Sequence, residues 1–249
     1  FGSKDDTTRH AISKLSHLHY VSNLIYKKRL IQMGEDKNNI INCGSVSICH
    51  LNKGKFISKH LLEYEYNFKF KNFNSLISFH PSIDFEKDLY SLENIFKLIK
   101  NNKNDLFIFT SPNPDEGSRQ IHKLIKDNIK KFKNTLYVKS FGNNKFLSML
   151  KYVNCIIGNS SSGIIEAPSL LTFSINIGDR QKGRLASNSV YNSKGSYKSI
   201  TNKYNLIKRQ SLKKIKFYNP YFNKNTLKII KNSINKIDNI PVNKIFHDR

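Results

Sequence analysis

Apolar residues along this chain fall into short runs, and from residue 76 onward the runs are regularly spaced. Leu76-Ile77-Ser78-Phe79-His80, Leu106-Phe107-Ile108-Phe109-Thr110, Leu136-Tyr137-Val138, Cys155-Ile156-Ile157-Gly158 and Phe173-Ser174-Ile175-Asn176-Ile177 read as strands. Between them, residues 84–100, 118–132 and 144–152 carry helical spacing, and a further helix is predicted to open near Gly163. Short apolar strands alternating with helices predict βαβ units and a parallel sheet covered on both faces. With right-handed crossovers this is a Rossmann-like α/β fold. The front is less regular. A helix opens at Asp5 and Asp6, since acidic residues favour a first turn. A strand follows at residues 18–21, a helix at 23–33 and a strand running into a turn at 40–44. Residues 51–72 read as an irregular, charged connection, and 222–237 as a closing helix. The expected organisation is a partial first lobe over 1–70 and a complete second lobe over 71–240.

Sheets of this kind bind ligands outside the carboxyl ends of their strands, so the loops after residues 80, 110, 140, 158 and 177 are the ones to inspect. Gly158-Asn159-Ser160-Ser161-Ser162-Gly163-Ile164-Ile165-Glu166-Ala167-Pro168 carries the strongest signal. Small residues between a buried strand and a helix let backbone N–H groups and serine hydroxyls converge on an anion, and a helix dipole adds favourable charge. Glu166 lies about one turn further on, where a carboxylate can accept from a ribose diol. A serine-rich helix cap would use the same residue types. Asn176-Ile177-Gly178-Asp179-Arg180-Gln181-Lys182-Gly183-Arg184 sets two arginines and a lysine between glycines, suited to phosphate. His80 ends a strand and could donate to a phosphate or to a leaving-group oxygen. The loop from Thr110 to Arg119, with Asn113 in it, either lines a sugar site or is a capped turn. At the front, Asp5 and Asp6 beside Arg9 could divide acid and base roles, or simply open a helix. His17 and His19 read as structural. No Walker loop and no G-x-G-x-x-G is present, which disfavours ATP hydrolysis and NAD binding, and no cofactor is expected.

Composition changes the picture little. The formal net charge of +24 invites a nucleic-acid reading, but the basic residues are spread along the chain with no dense block and no interleaved stacking aromatics. Lys supplies 35 of the 42 basic residues, alongside heavy use of Asn and Ile, as A- and T-rich codons would produce. Against that background a retained Arg points to a need for a planar, bidentate donor, and Arg9, Arg119, Arg180 and Arg184 all fall in the segments above. Neither a signal peptide nor a run of about 18 apolar residues is seen. The three cysteines, Cys43, Cys49 and Cys155, form neither a disulfide framework nor a zinc motif, so a soluble cytoplasmic protein is expected.

Taken together, residues 5–17, Phe79-His80-Pro81, 159–168 and Gly178-Asp179-Arg180-Gln181-Lys182-Gly183-Arg184 resemble the hydrolysing UDP-N-acetylglucosamine 2-epimerases of sialic and related nonulosonic acid biosynthesis. The resemblance covers most of the chain through about residue 210. It implies a GT-B architecture whose first lobe is incomplete here, since the family's His-Gly-Gly-Glu segment is missing. On that basis Ser160, Ser161, Ser162 and Gly163 hold a diphosphate, and Glu166 holds the ribose. Arg180 and Arg184 neutralise the leaving UDP, and His80 assists its departure. Asp6, or Asp5, acts as acid/base, with Asn113 and Arg9 beside the substrate. The resemblance further implies a UDP-GlcNAc or 2,4-diacetamido substrate and a homo-oligomer. A non-hydrolysing 2-epimerase, a UDP-binding lobe without activity, and a GT-B glycosyltransferase are the alternatives.

Overall fold

In chain order the elements of the computed structural model are α1 (Lys4–Leu15), β1 (His19–Val21), α2 (Leu24–Gln32), β2 (Ile40–Asn42), α3 (Lys59–Glu65), β3 (Asn74–Ser78), α4 (Phe85–Asn101) and β4 (Leu106–Thr110). They continue with α5 (Ser118–Ile129), β5 (Thr135–Val138), α6 (Gly142–Tyr152), β6 (Cys155–Gly158), β7 (Phe173–Ile177), β8 (Val190–Ser193), α7 (Tyr197–Gln210) and α8 (Thr226–Ile234). The structure describes residues 4–49, 51, 54, 56–210, 216–235, 243–245 and 247, with the side chains of residues 4 and 5 outside that description.

The chain divides into two compact units, 1–54 with 219–249, and 55–218. In the first unit β1 and β2 pair in parallel through the α2 crossover, with His19 opposite Ile40 and Val21 opposite Asn42. The segment around α8 belongs here rather than closing the second unit. Thr226 Oγ1 donates to the Cys43 carbonyl at 2.7 Å, and the Ser45 N–H donates to the Tyr221 carbonyl at 2.8 Å. The unit is organised around one buried carboxylate. Glu35 meets Lys14 and His19 at 2.9 Å each, and Lys244 at 2.5 Å. Burial alone would raise the pKa of Glu35, but hydrogen bonds from Lys244, Lys14 and His19 outweigh it and hold it at about 2.

The second unit is a six-stranded sheet in the order β5-β4-β3-β6-β7-β8, parallel throughout. This is the doubly wound order, and it matches the α/β sheet expected from the alternation. Strand residues alternate between faces. Ile77, Phe107, Phe109, Ile157 and Ile175 join one core with Leu92, Ile95 and Ile99 of α4, and with Ile200, Tyr204 and Ile207 of α7. Each such fully buried aliphatic side chain contributes roughly 1.5–3 kcal/mol.

Three elements escape the hydrophobic pattern. The edge strand β8 has only Val190 and Tyr191 as apolar residues. In α7 the buried positions Ile200, Tyr204 and Ile207 keep helical spacing but are diluted by Lys and Asn. The supposedly irregular connection contains α3, with Ser58 as N-cap accepting from the Leu61 N–H. Its neighbour Ile57 donates through its N–H to Ser148 of α6 at 2.9 Å, which ties residues 56–66 to the second unit. A further expectation is corrected at Gly163. No regular helix opens there, only 3₁₀ turns at Ser161–Gly163 and Ala167–Leu170. Pro168 has no N–H to continue an α-helical ladder, so the first turn is not propagated.

Candidate functional site

The strand order reverses between β3 and β6. In sheets with such a reversal the following loops depart in opposite directions, and a crevice is expected at the carboxyl ends. The register runs from Ser75 opposite Cys155 to Ser78 opposite Gly158, and there the ladder stops. Gly158 has φ +141°, and a Cβ there would stand 2.0 Å from the Ser78 carbonyl oxygen. Only glycine lets the two backbones come this close while the chain turns away.

Past that point, side chains take over from backbone pairing. The His80 N–H donates to Asn159 Oδ1, and Asn159 Nδ2 donates back to the His80 carbonyl, both at 2.7 Å. The carbonyl of Asn159 in turn accepts from Arg180 at 3.2 Å and from Gln181 Nε2 at 2.8 Å. The loops after β3, β6 and β7 therefore meet at one residue. The loop after β4 joins through Asn113, whose N–H donates to His80 Nδ1 at 3.0 Å. A nitrogen that accepts carries no proton, so His80 is the Nε2–H tautomer. Its Nε2–H has a long contact of 3.4 Å to Ser78 Oγ. Burial first, and then the Arg180 charge, push the His80 pKa down to about 4 against a weaker opposing effect of Asp115. At neutral pH the ring is an uncharged hydrogen-bond donor.

The serine loop keeps its place under the modified helix assignment. Ser160 caps the 3₁₀ turn, its Oγ accepting from the Ser162 N–H at 3.4 Å. Ser160, Ser161 and Ser162 are half-buried. Gly163 is buried against β7, and a Cβ on it would lie 2.5 Å from Ser174 Oγ. The Glu166 N–H closes one turn on the Ser162 carbonyl at 3.2 Å. A full helix dipole is absent, so positive charge in this region comes from side chains, Arg180 and Arg184 among them. Arg180 also meets Asp115 at 3.9 Å. The Arg184 N–H turns back onto the Gln181 carbonyl at 3.2 Å, which keeps it in the same loop.

His80, Asn113, Ser160, Ser161, Ser162, Gly163, Glu166, Arg180 and Arg184 thus all belong to loops at the carboxyl end of one sheet, in the second unit. Asp6 and Arg9 belong to the first unit, on α1, where they pair with one another at 3.5 Å. The side chain of Asp5 lies outside the described residues. His19, read as structural, is buried on Glu35. Sequence reading passed over Asn159 and Gln181 as individual residues, although both stand inside the motifs. It also passed over Asp88, which is 5% exposed and fixes the loop after β3 by accepting from the Ser82 N–H at 2.6 Å and the Ser82 hydroxyl at 2.9 Å. Its position one turn into α4, facing back to the loop, was the available signal. Among the described residues no group of three His, Cys, Asp or Glu side chains could hold a metal ion, and no helix is long and apolar enough to cross a membrane.

The family described as UDP-N-acetylglucosamine 2-epimerase matches residues 1–235. A GDP/UDP-N,N'-diacetylbacillosamine 2-epimerase (hydrolyzing) of Campylobacter jejuni is 39% identical over 196 residues, covering 77% of this chain and 50% of that protein. Polysialic acid biosynthesis protein P7 of Escherichia coli is 36% identical over 232 residues, covering 90% of this chain and 58% of its own length. The chain thus spans about half the length of the curated relatives it matches. Among solved structures, UDP-GlcNAc 2-epimerase from Neisseria meningitidis bound to UDP-GlcNAc superposes with a TM-score of 0.79 at 20% identity, over 94% of this chain and 65% of that one. That likeness carries the fold, which is of GT-B type.

Proposed function

From the membership of this chain in the UDP-N-acetylglucosamine 2-epimerase family, we propose that its second unit holds the diphosphate of a UDP-sugar and serves a hydrolysing 2-epimerase reaction. The observation that carries the reading is the junction of His80, Asn159 and Arg180 at the strand-order reversal. A guanidinium, a neutral imidazole and a serine-rich turn stand on neighbouring loops at the end of the sheet where such folds take nucleotides. In this reading Ser160, Ser161, Ser162 and the Gly163 backbone hold the diphosphate and Glu166 the ribose. Arg180 and Arg184 offset the charge that builds on UDP as it leaves. His80 helps through a hydrogen bond from Nε2, not by giving up its proton, since its ring is neutral.

A base removes the C2 proton of the sugar, the C1–O bond breaks with its electron pair leaving on UDP, and a C1–C2 double bond forms. Water then adds its hydroxyl to C1 and a proton to the opposite face of C2. Products are free UDP and the 2-epimeric sugar, N-acetylmannosamine from UDP-GlcNAc. Asp6, with Asp5 as second choice, is our candidate for the acid/base group. The names of the relatives from Campylobacter and from Legionella pneumophila, the latter 30% identical, favour the hydrolysing reaction and a 2,4-diacetamido sugar as an alternative substrate to UDP-GlcNAc. A non-hydrolysing enzyme would keep UDP on its product, so accumulation of free UDP separates the two.

The direct test is calorimetric titration of the chain with UDP, repeated for Ser161→Ala and Arg180→Ala. Loss of the charge-assisted contact in Arg180→Ala should weaken binding by about 10- to 100-fold, with a smaller loss for Ser161→Ala. Equal affinity in all three proteins would remove the diphosphate from this crevice.

A further inference from the structure

The parallel ladder between β3 and β6 ends at Ser78 and Gly158, yet the chains are still locked together beyond it, at His80 and Asn159. The lock is the side-chain amide of Asn159, which is 1% exposed. A carboxamide offers one acceptor and one donor in the arrangement of a peptide group. Asn159 uses both on His80, at 2.7 Å each, and so substitutes for the missing ladder rung. Its own carbonyl then takes Arg180 and Gln181. The ring of His80 follows the backbone so fixed, because the Asn113 N–H can reach Nδ1 only while His80 is held in place.

We propose that Asn159 is a positioning residue for the crevice: it sets the orientation of the His80 ring and the reach of Arg180, and through them the affinity for the diphosphate. The affinity part rests on the function proposed above, whereas the part concerning His80 does not. The choice of side chain has a physical reason. An aspartate could accept from the His80 N–H but could not donate to the His80 carbonyl, and it would bring an unpaired buried charge. An alanine would leave a buried N–H and a buried carbonyl without their partners.

The test follows the His80 ring by NMR through a pH titration of the ligand-free chain, together with UDP affinity by calorimetry, in the wild type, Asn159→Ala and Asn159→Asp. In Asn159→Ala the released ring should titrate about one pH unit higher and lose the Nδ1-acceptor signature, as burial and the fixed contact are relaxed. UDP should bind about tenfold more weakly. Asn159→Asp is close to isosteric and serves if the alanine variant does not fold. It should raise the His80 titration further through its added negative charge and weaken UDP more, by repulsion. A folded variant with an unchanged His80 titration overturns the positioning role, even if its melting temperature has dropped. If His80 responds but UDP affinity does not, the clamp stands and the link to affinity is overturned. If His80 responds while the wild type itself ignores UDP, it is the functional reading that fails.

Discussion

The two edges of the large sheet both bury polar clusters, but they are built in different ways. At the amino edge, Asp105 stands just before β4 and accepts from Tyr204 at 2.8 Å and from Lys208 at 2.7 Å, while its carbonyl takes Asn134 Nδ2 at 3.2 Å. Both side-chain donors come from one helix, α7, packed on the same core. Burial drives the Tyr204 phenol far above its ordinary range, so it remains a fixed donor. A carboxylate is thereby closed off by rigid neighbours. At the carboxyl edge the partners sit on four separate loops, each bond joins a side chain to a backbone group, and the charged member is a cation. The carboxylate it meets, Asp115, is 54% exposed and 3.9 Å away. The first arrangement closes a carboxylate into the fold, whereas the second is the one to which we assign an anion under the proposed function. Proximity to a polar cluster is therefore a poor guide to function. The sign of the charge and the rigidity of what holds it discriminate better.

The sharpest way to break this comparison is Asp105→Ala. Removing the acceptor strands a buried hydroxyl beside an ammonium group and should destabilise the second unit by about 3–5 kcal/mol in denaturant unfolding. UDP affinity of the folded protein should stay as in the wild type, since the change lies at the far ends of the strands. A loss of affinity without a loss of stability would invert the roles assigned to the two edges.

The next effect is on pH and belongs to the carboxyl edge. His80 titrates at about 4 when folded against 6.5 as the ordinary value, so the unfolded chain takes up its proton first as the pH falls. The stability contributed by the neutral ring is complete above pH 6.5, declines through the window and is gone below pH 4. The size is on the order of 3 kcal/mol. Unfolding free energies measured between pH 4 and 7 for the wild type and for His80→Asn should diverge by that amount, the variant lacking this part of the slope. Parallel pH curves would mean that the ring is accessible enough to protonate in place.

How much of this was legible in the sequence depends on whether local pattern or long-range geometry decides. The fully buried strands β3, β4, β6 and β7 and the helices over Phe85–Asn101 and Ser118–Ile129 declare themselves, because parallel strands buried on both faces are rich in Leu, Ile and Phe. The loops followed from their position after those strands. What stayed hidden was decided by tertiary context. β8 needs only one packed neighbour, β7. α7 spends most of its positions on solvated Lys and Asn, and the return of α8 to the first unit rests on single bonds such as that from Thr226 to Cys43. At the site, the motif residues could be picked out but their division of labour could not. Asn159 reads as one small polar residue among several, and only the two 2.7 Å bonds to His80, 79 positions away, give it a distinct task.

The smallest expected effect sharpens the comparison from the amino edge. Tyr204→Phe deletes one donor to Asp105 but leaves Lys208 in place, so the carboxylate is not abandoned. The ring itself keeps its packing, edge-on to Phe73 at 5.1 Å and stacked on Phe107 at 5.9 Å. Losing that hydrogen bond, together with the one the hydroxyl accepts from Ser75, should cost about 1–2 kcal/mol, seen as a lower denaturant midpoint with an unchanged slope. A cost as large as that of Asp105→Ala would show that the hydroxyl, and not the ion pair, closes this cluster. A negligible cost would leave Lys208 as the partner that matters. Either result bears on the amino edge, because Asp105 precedes β4, at the opposite end of the strands from the loops at Ser78 and Gly158.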